Sequence, residues 1–278
     1  MQTISAFSAA RRPVPAVIPS TFATSGKLVV RLAESPAEIA AAQALRYRVF
    51  YEEMRALPSA EMLARRQDFD SFDPVCDHLL VVDADRPTGE EVVGTYRLIR
   101  QEIARSHGGF YSSSEYDLST LTDNNPGARF LELGRSCVDP AYRSNATIQL
   151  LWRGITGYVL AHRIDFMFGC GSLAGVDAEG LALPLSYLHH EFLAPPELRV
   201  RAHANLYTEM NRMARTDINP RAALRALPPL IKGYLRLGGF VGDGAVVDRQ
   251  FNTTDVFILV PVSRIADRYQ ARFEPEAE

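Results

Sequence analysis

An acidic and a basic side chain, Glu132 and Arg135, stand three residues apart inside an apolar run at residues 130–138. The run has the composition of a strand and ends at Asp139-Pro140. Burying either charge is costly unless the charge is paired or used in chemistry. The two side chains are therefore either a functional pair that faces a cleft or a buried ion pair inside an ordinary sheet.

The strand and the segment after it must position these two charges. Regular alternation along a strand would put residues three apart on opposite faces. Gly134 lies between the charges and is typical of a β-bulge, where one extra residue would turn both to the same side. A polar capping sequence at residues 144–147 then opens an apolar helical pattern at residues 148–159. We therefore expect a bulged strand followed by a helix whose free amides attract an anion.

Composition narrows the class of protein. The 278 residues are 47% hydrophobic, which supports a full core, and their net charge of −3 does not indicate a nucleic-acid partner. No run approaches the roughly 18 to 20 apolar residues of a membrane span. The three cysteines are scattered and form no CxxC pair, which favours a reducing compartment and predicts no zinc site. We expect a cytoplasmic protein without a metal.

The chain divides into a tail and one domain. Residues 1–26 lack acidic residues and contain several prolines, which predicts a mobile N-terminal tail; an organellar transit peptide is the alternative. Residues 27–278 are predicted to form a single domain. Within this domain, residues 101–127 are rich in Ser, Gly and Asn and are interpreted as an insertion with little core. Residues 199–238 are interpreted as a basic helical segment.

The predicted order of elements is strand, helix, hairpin, central strand, helix, strand, helices and strands. The first helix begins at Ser35-Pro36, and the hairpin joins residues 78–83 to residues 92–99. A helix that is interrupted near Pro184 is expected over residues 175–190. This order predicts an α+β or α/β fold with a mixed, mainly antiparallel sheet, helices on both faces and a bulged central strand.

Several short patterns occur together in an order that is typical of a known family. They are Leu45-Arg46-Tyr-Arg-Val49-Phe50, Asp70-x-x-Asp73, Arg97 and Glu132-x-x-Arg135. This set resembles the polar cluster of acyl-homoserine-lactone synthases, which share the GNAT N-acyltransferase fold. The resemblance implies a GNAT-like domain that takes its acyl chain from acyl carrier protein.

Five further segments resemble a second GNAT subfamily, the ornithine-lipid N-acyltransferases, which are often labelled hemolysin-like. The segments are Pro74–His78, Glu132–Ser136, Pro140–Arg143, Pro228–Gly238 and Asp248–Val256. The resemblance covers residues 27–273. In place of the glycine-rich pyrophosphate loop of ordinary GNAT enzymes, the chain has Arg143-Ser-Asn-Ala-Thr-Ile148. This departure favours a carrier-bound acyl chain over coenzyme A, because phosphopantetheine has a single phosphate.

The resemblance implies aminolysis of a thioester. The α-amine of ornithine attacks a 3-hydroxyacyl group on acyl carrier protein and gives lyso-ornithine lipid, in the first step of ornithine lipid synthesis. No permanent cofactor or metal is implied, since the carrier's own phosphopantetheine presents the acyl group. Two other functions stay open: a coenzyme A-dependent GNAT enzyme that acts on a small amine, and a membrane-active or lipid-binding protein.

The resemblance also implies roles for the central strand. Glu132 is the expected general base, acting directly or through a water. Its alternative role is structural, as the partner of Arg97 or Arg135. A bulge leaves backbone amides unpaired, so the amides near Gly134 to Cys137, including those of Ser136 and Cys137, are expected to hold the oxyanion.

The acceptor needs groups that orient it. Its carboxylate suits a guanidinium, and Arg46 and Arg97 are the candidates. Its side-chain ammonium suits Asp70 or Asp73, and Phe50 is grouped with these residues as substrate-binding. Alternatively, Arg46 forms a helix-surface ion pair and the two aspartates cap their own loop.

Acyl carrier protein is acidic, so its docking surface should be basic. The candidates are Arg143, Arg153, Lys232 and Arg236. The alternative partner for this basic surface is the anionic inner membrane, which would make the protein peripheral there. Residues 166–168 beside the helix of Trp152 could form a slot for the acyl chain, although such a stripe is more often plain core.

Overall fold

The computed structural model describes residues 20–265. Residues 1–19 of the predicted tail and residues 266–278 of the predicted domain lie outside the described residues. The last part of the predicted tail is structured, because Ala23–Ser25 forms a strand that pairs antiparallel with the next one. Among the helices of residues 20–265, we find none with the length and apolar composition of a bilayer span.

Eleven strands and eight α-helices make up the part of the chain described. The strands are β1 (Ala23–Ser25), β2 (Leu28–Leu32), β3 (Asp77–Asp83), β4 (Val92–Arg100), β5 (Tyr116–Asp117), β6 (Phe130–Val138), β7 (Phe166–Ala174), β8 (Arg201–Ala202), β9 (Tyr207–Thr208), β10 (Phe240–Asp248) and β11 (Thr253–Pro261). The helices are α1 (Pro36–Tyr47), α2 (Ala60–Arg65), α3 (Gln101–Ser106), α4 (Ser119–Asp123), α5 (Asn145–His162), α6 (Ala182–Phe192), α7 (Pro220–Ala226) and α8 (Pro229–Arg236).

The strands form one sheet in the order β1-β2-β3-β4-β6-β7-β11-β10-β8-β5, and β9 pairs with β10. Among the named strands of residues 20–265, only the β6–β7 and β8–β10 pairs are parallel. Helix α5 packs on the face that carries Leu79 and Val81, and α1 packs on the opposite face, which carries Leu80 and Val82. The predicted mixed, mainly antiparallel sheet with helices on both faces is therefore confirmed.

The first helix begins where the sequence predicts. The Ser35 hydroxyl accepts a hydrogen bond from the Glu38 amide at 3.3 Å, and Pro36 fixes the first turn. The helix then continues as a π-helical turn at Arg48–Glu53. This turn carries Phe50 toward the centre of the sheet.

The central strand is bulged at the predicted place. Thr95 of β4 pairs with Cys137 and Arg97 pairs with Gly134, so one residue of β4 faces two residues of β6. Arg135 occupies the extra position with a φ of 49°, in the left-handed region. The bulge turns the Arg135 side chain to the face of Arg97 and Glu132.

Strands β6 and β7 pair for only three residues and then diverge, because the last parallel pair is Glu132 with Phe168. The backbones approach closely at this point. A Cβ on Gly169 would lie 2.2 Å from the carbonyl oxygen of Leu133, so only glycine fits there. The gap beyond this contact is the centre of the fold.

Two predictions about loops were wrong. The insertion at residues 101–127 has its own core, in which Phe110 packs on Phe168 and Tyr116 on Phe257. Its apolar residues are irregularly spaced, so no periodic pattern reveals them. The helix expected over residues 175–190 begins only at residue 182, which places Pro184 in the first turn, where its missing N–H costs no helical hydrogen bond.

The basic segment at residues 199–238 is helical only in its second part, α7 and α8. Its charge is also partly neutralised by acidic residues from outside the segment. The pairs are Arg201–Asp243, Arg212–Glu179 and Arg215–Glu191. The basic character of the sequence window therefore overstates the charge of the folded surface.

Candidate active site

A cavity of about 790 Å³ occupies the gap between the diverging strands β6 and β7. Successive residues of a strand point to opposite faces of the sheet. Side chains from both faces line the cavity, so the cavity passes through the sheet. The side under α5 and α8 is apolar, with Trp152, Met167, Leu230, Tyr234 and Ile258. The opposite side is charged, with Arg97, Glu132, Arg135, Asp248 and Asp255. Of the predicted acyl slot, Met167 lines the apolar side, Phe168 the charged side, and Phe166 stacks on Phe130 instead.

Arg46 lies behind the cavity wall and does not reach the cavity. Its side chain is 0% exposed, and its guanidinium contacts Asp68 at 2.7 Å and Asp73 at 2.8 Å. Both expectations for Arg46 therefore need correction, because the side chain neither faces a substrate nor forms a surface pair. It is a positioning residue, and the carboxylate of Asp73 is used in holding it.

Asp70 joins two guanidiniums that do line the cavity. Its carboxylate contacts Arg97 at 2.6 Å and Arg135 at 3.1 Å. Burial alone would raise the pKa of Asp70, but the two guanidiniums hold the pKa below its ordinary value. Its Oδ1 also accepts the Phe72 amide at 2.8 Å, which is the loop-capping alternative. Because Asp70 and Asp73 are already paired with arginines, neither is a free partner for an ammonium.

Asp68 completes a charge-balanced network of three aspartates and three arginines. The side chain is fully buried, and it accepts a hydrogen bond from the Tyr51 hydroxyl at 2.9 Å and contacts Arg135 Nε at 3.3 Å. The sequence patterns predicted five of these six charged residues. Asp68 was missed because it lies outside the spaced motif, although it is two residues from Asp70 in the same acidic loop.

Glu132 stands apart from this network. Its two oxygens accept the backbone amides of Tyr111 at 2.7 Å and Ser112 at 2.8 Å. Burial raises the pKa of Glu132 above its ordinary value, although the two amides oppose the shift. Over residues 20–265 it forms no ion pair, so the alternative of a direct pair with Arg97 or Arg135 is not supported.

The guanidinium of Arg135 lies between two rings at the cavity wall. It is 4.8 Å from the ring centre of Tyr111 and 4.9 Å from that of Phe251. Phe50 packs edge-on against the same Phe251 ring, with 5.7 Å between ring centres, and it also lines the cavity. These rings shape the charged side of the cavity around Arg135.

The edge of β6 that faces β7 opens onto the cavity beyond the last parallel pair. Ser136 and Cys137 lie on this open edge next to the bulge, and both line the cavity. Burial raises the pKa of the Cys137 thiol to about 12, so the sulfur stays protonated. The Cys137 side chain is therefore a neutral thiol, and the main chain of the open edge faces the cavity beside it.

A second acidic group, formed by Glu115, Asp248 and Asp255, lies on the charged side. None of the sequence patterns predicted these three residues as part of the site. One oxygen from each carboxylate lies within 4.8 Å of the others. Burial and the neighbouring Asp255 raise the pKa of Glu115 to about 7, and burial raises the pKa of Asp255 to about 6. Oxygen ligands of this kind could hold either a hard metal ion or an ammonium group.

The candidate docking residues divide into two groups. Arg143 and Arg236 line the cavity at its exposed rim, where α5 begins and α8 ends. Arg143 is held by a bidentate pair with Glu53, in which both N–O distances are 2.6 Å. Arg153 is exposed on α5 and Lys232 is half-buried on α8, and neither lines the cavity.

Comparison with known proteins gives the family. The model of the acetyltransferase (GNAT) domain matches residues 45–153. The L-ornithine Nα-acyltransferase of Rhizobium meliloti (strain 1021) is 52% identical over 261 residues, which cover 93% of this chain and 88% of the relative. The enzyme of the same name from Rhodobacter capsulatus is 45% identical over 251 residues, which cover 90% of this chain and 95% of the relative.

Solved structures are similar in fold at low identity. FeeM, an N-acyl amino acid synthase from uncultured soil microbes, aligns with a TM-score of 0.50 at 16% identity. The alignment covers 89% of this chain and 98% of that chain. On the sequence relationships, this chain belongs to the L-ornithine Nα-acyltransferase family and has a GNAT-like fold.

Proposed function

We propose that this protein transfers a 3-hydroxyacyl chain from acyl carrier protein to the α-amine of ornithine and so forms lyso-ornithine lipid. The observation that carries the proposal is the cavity that crosses the sheet between β6 and β7. Its apolar side suits a long acyl chain, and its charged side suits an amino acid. The relatives' name supplies the acceptor and the amine that reacts.

The donor would enter at the rim where α5 begins. The Ser144 hydroxyl caps this helix and accepts the Thr147 amide at 3.3 Å. The remaining free amides of the first turn, together with Arg143 and Arg236, suit the single phosphate of phosphopantetheine. A coenzyme A donor is the alternative, and the absence of a glycine-rich loop in residues 143–148 counts against it.

Glu132 removes the proton from the attacking amine. Its raised pKa makes the carboxylate a stronger base than an exposed one, and it lies on the cavity wall. Arg135 and Arg97 are the guanidiniums that line the cavity, and they suit the acceptor carboxylate. One proton passes from the α-ammonium to Glu132, directly or through one water, and leaves the neutral amine.

The amine nitrogen then attacks the thioester carbon, and a C–N bond forms while the carbonyl oxygen becomes an oxyanion. Backbone amides at the open edge near Ser136 and Cys137 donate to this oxyanion; losing one such donor costs about 3 to 4 kcal/mol in other enzymes. Attack leaves a second proton on the nitrogen. Collapse of the intermediate breaks the C–S bond, this second proton passes to the departing thiolate of the carrier, and Glu132 releases the first proton to water. A thioester is already activated, so this sequence requires no metal.

The test is a reaction of purified protein with 3-hydroxyacyl carrier protein and ornithine. We expect release of carrier thiol together with an equal amount of N-acyl ornithine, identified by mass spectrometry. Thiol release without N-acyl ornithine would reject the transfer. Turnover with coenzyme A esters alone would reject the carrier as donor, and vesicle binding without turnover would favour the lipid-binding alternative.

A further inference from the structure

Glu115, Asp248 and Asp255 have no part in the steps above, although Asp248 and Asp255 line the same cavity and Glu115 lies directly behind them. Asp248 ends β10 and pairs with Thr253 of β11, so Asp255, two residues further along, points to the same side. Glu115 arrives from the segment before β5, where its Oε2 accepts the thiol of Cys170 at 3.2 Å. The β10–β11 hairpin and the distant segment before β5 thus bring their carboxylates together at one end of the cavity.

Asp255 is the residue that indicates a ligand. The residue is 7% exposed, and its Oδ1 is buried without a hydrogen bond of normal geometry among the described residues, although the side chains of Ser172 and Thr253 act to lower its pKa. An unpaired buried carboxylate is costly, so a native fold retains one where a partner arrives from outside. Asp255 also lines the cavity, so the partner can reach it.

Charge balance distinguishes this group from the other acids of the site. Asp70 and its two neighbouring aspartates are each paired with an arginine. Within the described range, no lysine or arginine forms an ion pair with Glu115, Asp248 or Asp255. Glu132 also lacks an ion pair within this range, but it stands alone and is held by two backbone amides, whereas these three carboxylates lie together. The largest unbalanced negative charge of the site is therefore at this acidic group, where a cation is most stabilised.

We propose that Glu115, Asp248 and Asp255 bind the side-chain ammonium of the acceptor amino acid. This assignment rests on the proposed function, in which the acceptor is ornithine. An ammonium has three N–H donors, which is one for each carboxylate. The raised pKa values of Glu115 and Asp255 fit a site that is completed by a cation, because a bound positive charge lowers both.

The assignment also explains why the α-amine reacts rather than the side-chain amine. Carboxylates around an ammonium raise its pKa and keep it protonated, so it has no lone pair for attack. The α-amine, at the other end of the same molecule, is left beside Glu132. The three carboxylates thus select both the substrate and the nitrogen that is acylated.

The test compares two acceptors, ornithine and norvaline, which has the same carbon chain without the terminal amine. Wild-type protein should prefer ornithine in kcat/KM. Removing one member of a buried charge pair weakens binding by roughly 30-fold or more, so Asp255→Asn should lower the ornithine-to-norvaline ratio by about that factor. Asp248→Asn should lower it as well, and the asparagine oxygen can still accept the Gln250 and Phe251 amides.

Asp243→Asn is the matched control. Asp243 also lies in β10, but its carboxylate is paired with Arg201 and it does not line the cavity. The ornithine-to-norvaline ratio of kcat/KM in Asp243→Asn should match wild type. Thermal unfolding should show that this control and the variants at Asp248 and Asp255 are all folded.

The outcomes separate this inference from the proposed function. Wild-type protein that does not acylate ornithine would reject the proposed function. Active wild-type protein that shows no preference for ornithine, or asparagine variants that keep the wild-type ratio, would overturn the ammonium site alone. A divalent cation is the competing ligand. Calorimetric binding of Mg²⁺ or Ca²⁺ that disappears in Asp255→Asn, with chelation abolishing turnover of both acceptors, would also overturn it.

Discussion

Replacing Glu132 by glutamine removes the expected base while keeping the shape of the side chain. Both oxygens of Glu132 accept a backbone amide, from Tyr111 and from Ser112. Glutamine offers one oxygen and one NH2 group, so one buried amide then faces a donor, which costs about 1 to 3 kcal/mol of stability. Loss of a general base lowers the rate by roughly 100- to 10,000-fold. We therefore expect a folded protein of reduced stability with almost no turnover.

The assay measures thiol release and N-acyl ornithine across pH. In wild-type protein kcat/KM should fall as pH falls through the raised pKa of Glu132, because the base must be unprotonated. The residual rate of Glu132→Gln should lack the part of this limb that titrates with Glu132 and keep the part that titrates with Glu115 and Asp255. Ile164→Val is the control for stability, since this buried residue lies away from the cavity and the change costs about 0.5 to 1.5 kcal/mol. Near-normal turnover in Glu132→Gln would refute the role of Glu132 as base.

Three further results are expected from the charge network and the strand gap. Arg46→Met takes the nearest guanidinium from two buried carboxylates, which keep only the longer contacts to Arg135 and Arg97, and should destabilise the protein by about 3 to 5 kcal/mol in denaturant unfolding. Asp70 has a lowered folded-state pKa, so its stabilising effect is present above pH 3.8 and is lost below it; Asp70→Asn should show less acid destabilisation in thermal melts, and an unchanged acid limb would contradict this. Gly169→Ala should cost about 1 to 3 kcal/mol because its Cβ would strike the Leu133 carbonyl, whereas Gly134→Ala meets nothing within 4 Å and should be tolerated; equal stability of the two variants would argue against the close approach.

The bulged strand could be predicted because two local rules conflicted. Alternation separated Glu132 from Arg135, and Gly134 between them offered the extra residue that restores a common face. The helix caps and the hairpin were also local patterns, and the structure has them within a residue or two. The bulge, the helix caps and the hairpin each depend on residues that are close in sequence, so the sequence alone could predict them.

The walls of the site could not be read in the same way. Glu132 is held by main-chain amides at residues 111 and 112. Every residue except proline has such an amide, so the residue types do not indicate this contact. Arg46 follows the apolar Leu45 on its helix, and only the loop that folds over it shows that it is enclosed. The acidic group needs Glu115 and Asp255, which come together only through the sheet order.

A passage that crosses the sheet has a kinetic consequence. In the proposed reaction, the acyl thioester would reach the gap from under α5 and α8 and the amino acid from the opposite face, so neither would have to leave before the other arrives. Direct transfer through a ternary complex follows, with intersecting lines in double-reciprocal plots instead of the parallel lines of a ping-pong scheme. The acyl chain and the charged amino-acid group of the product would then lie on opposite faces of the sheet as soon as the amide bond forms.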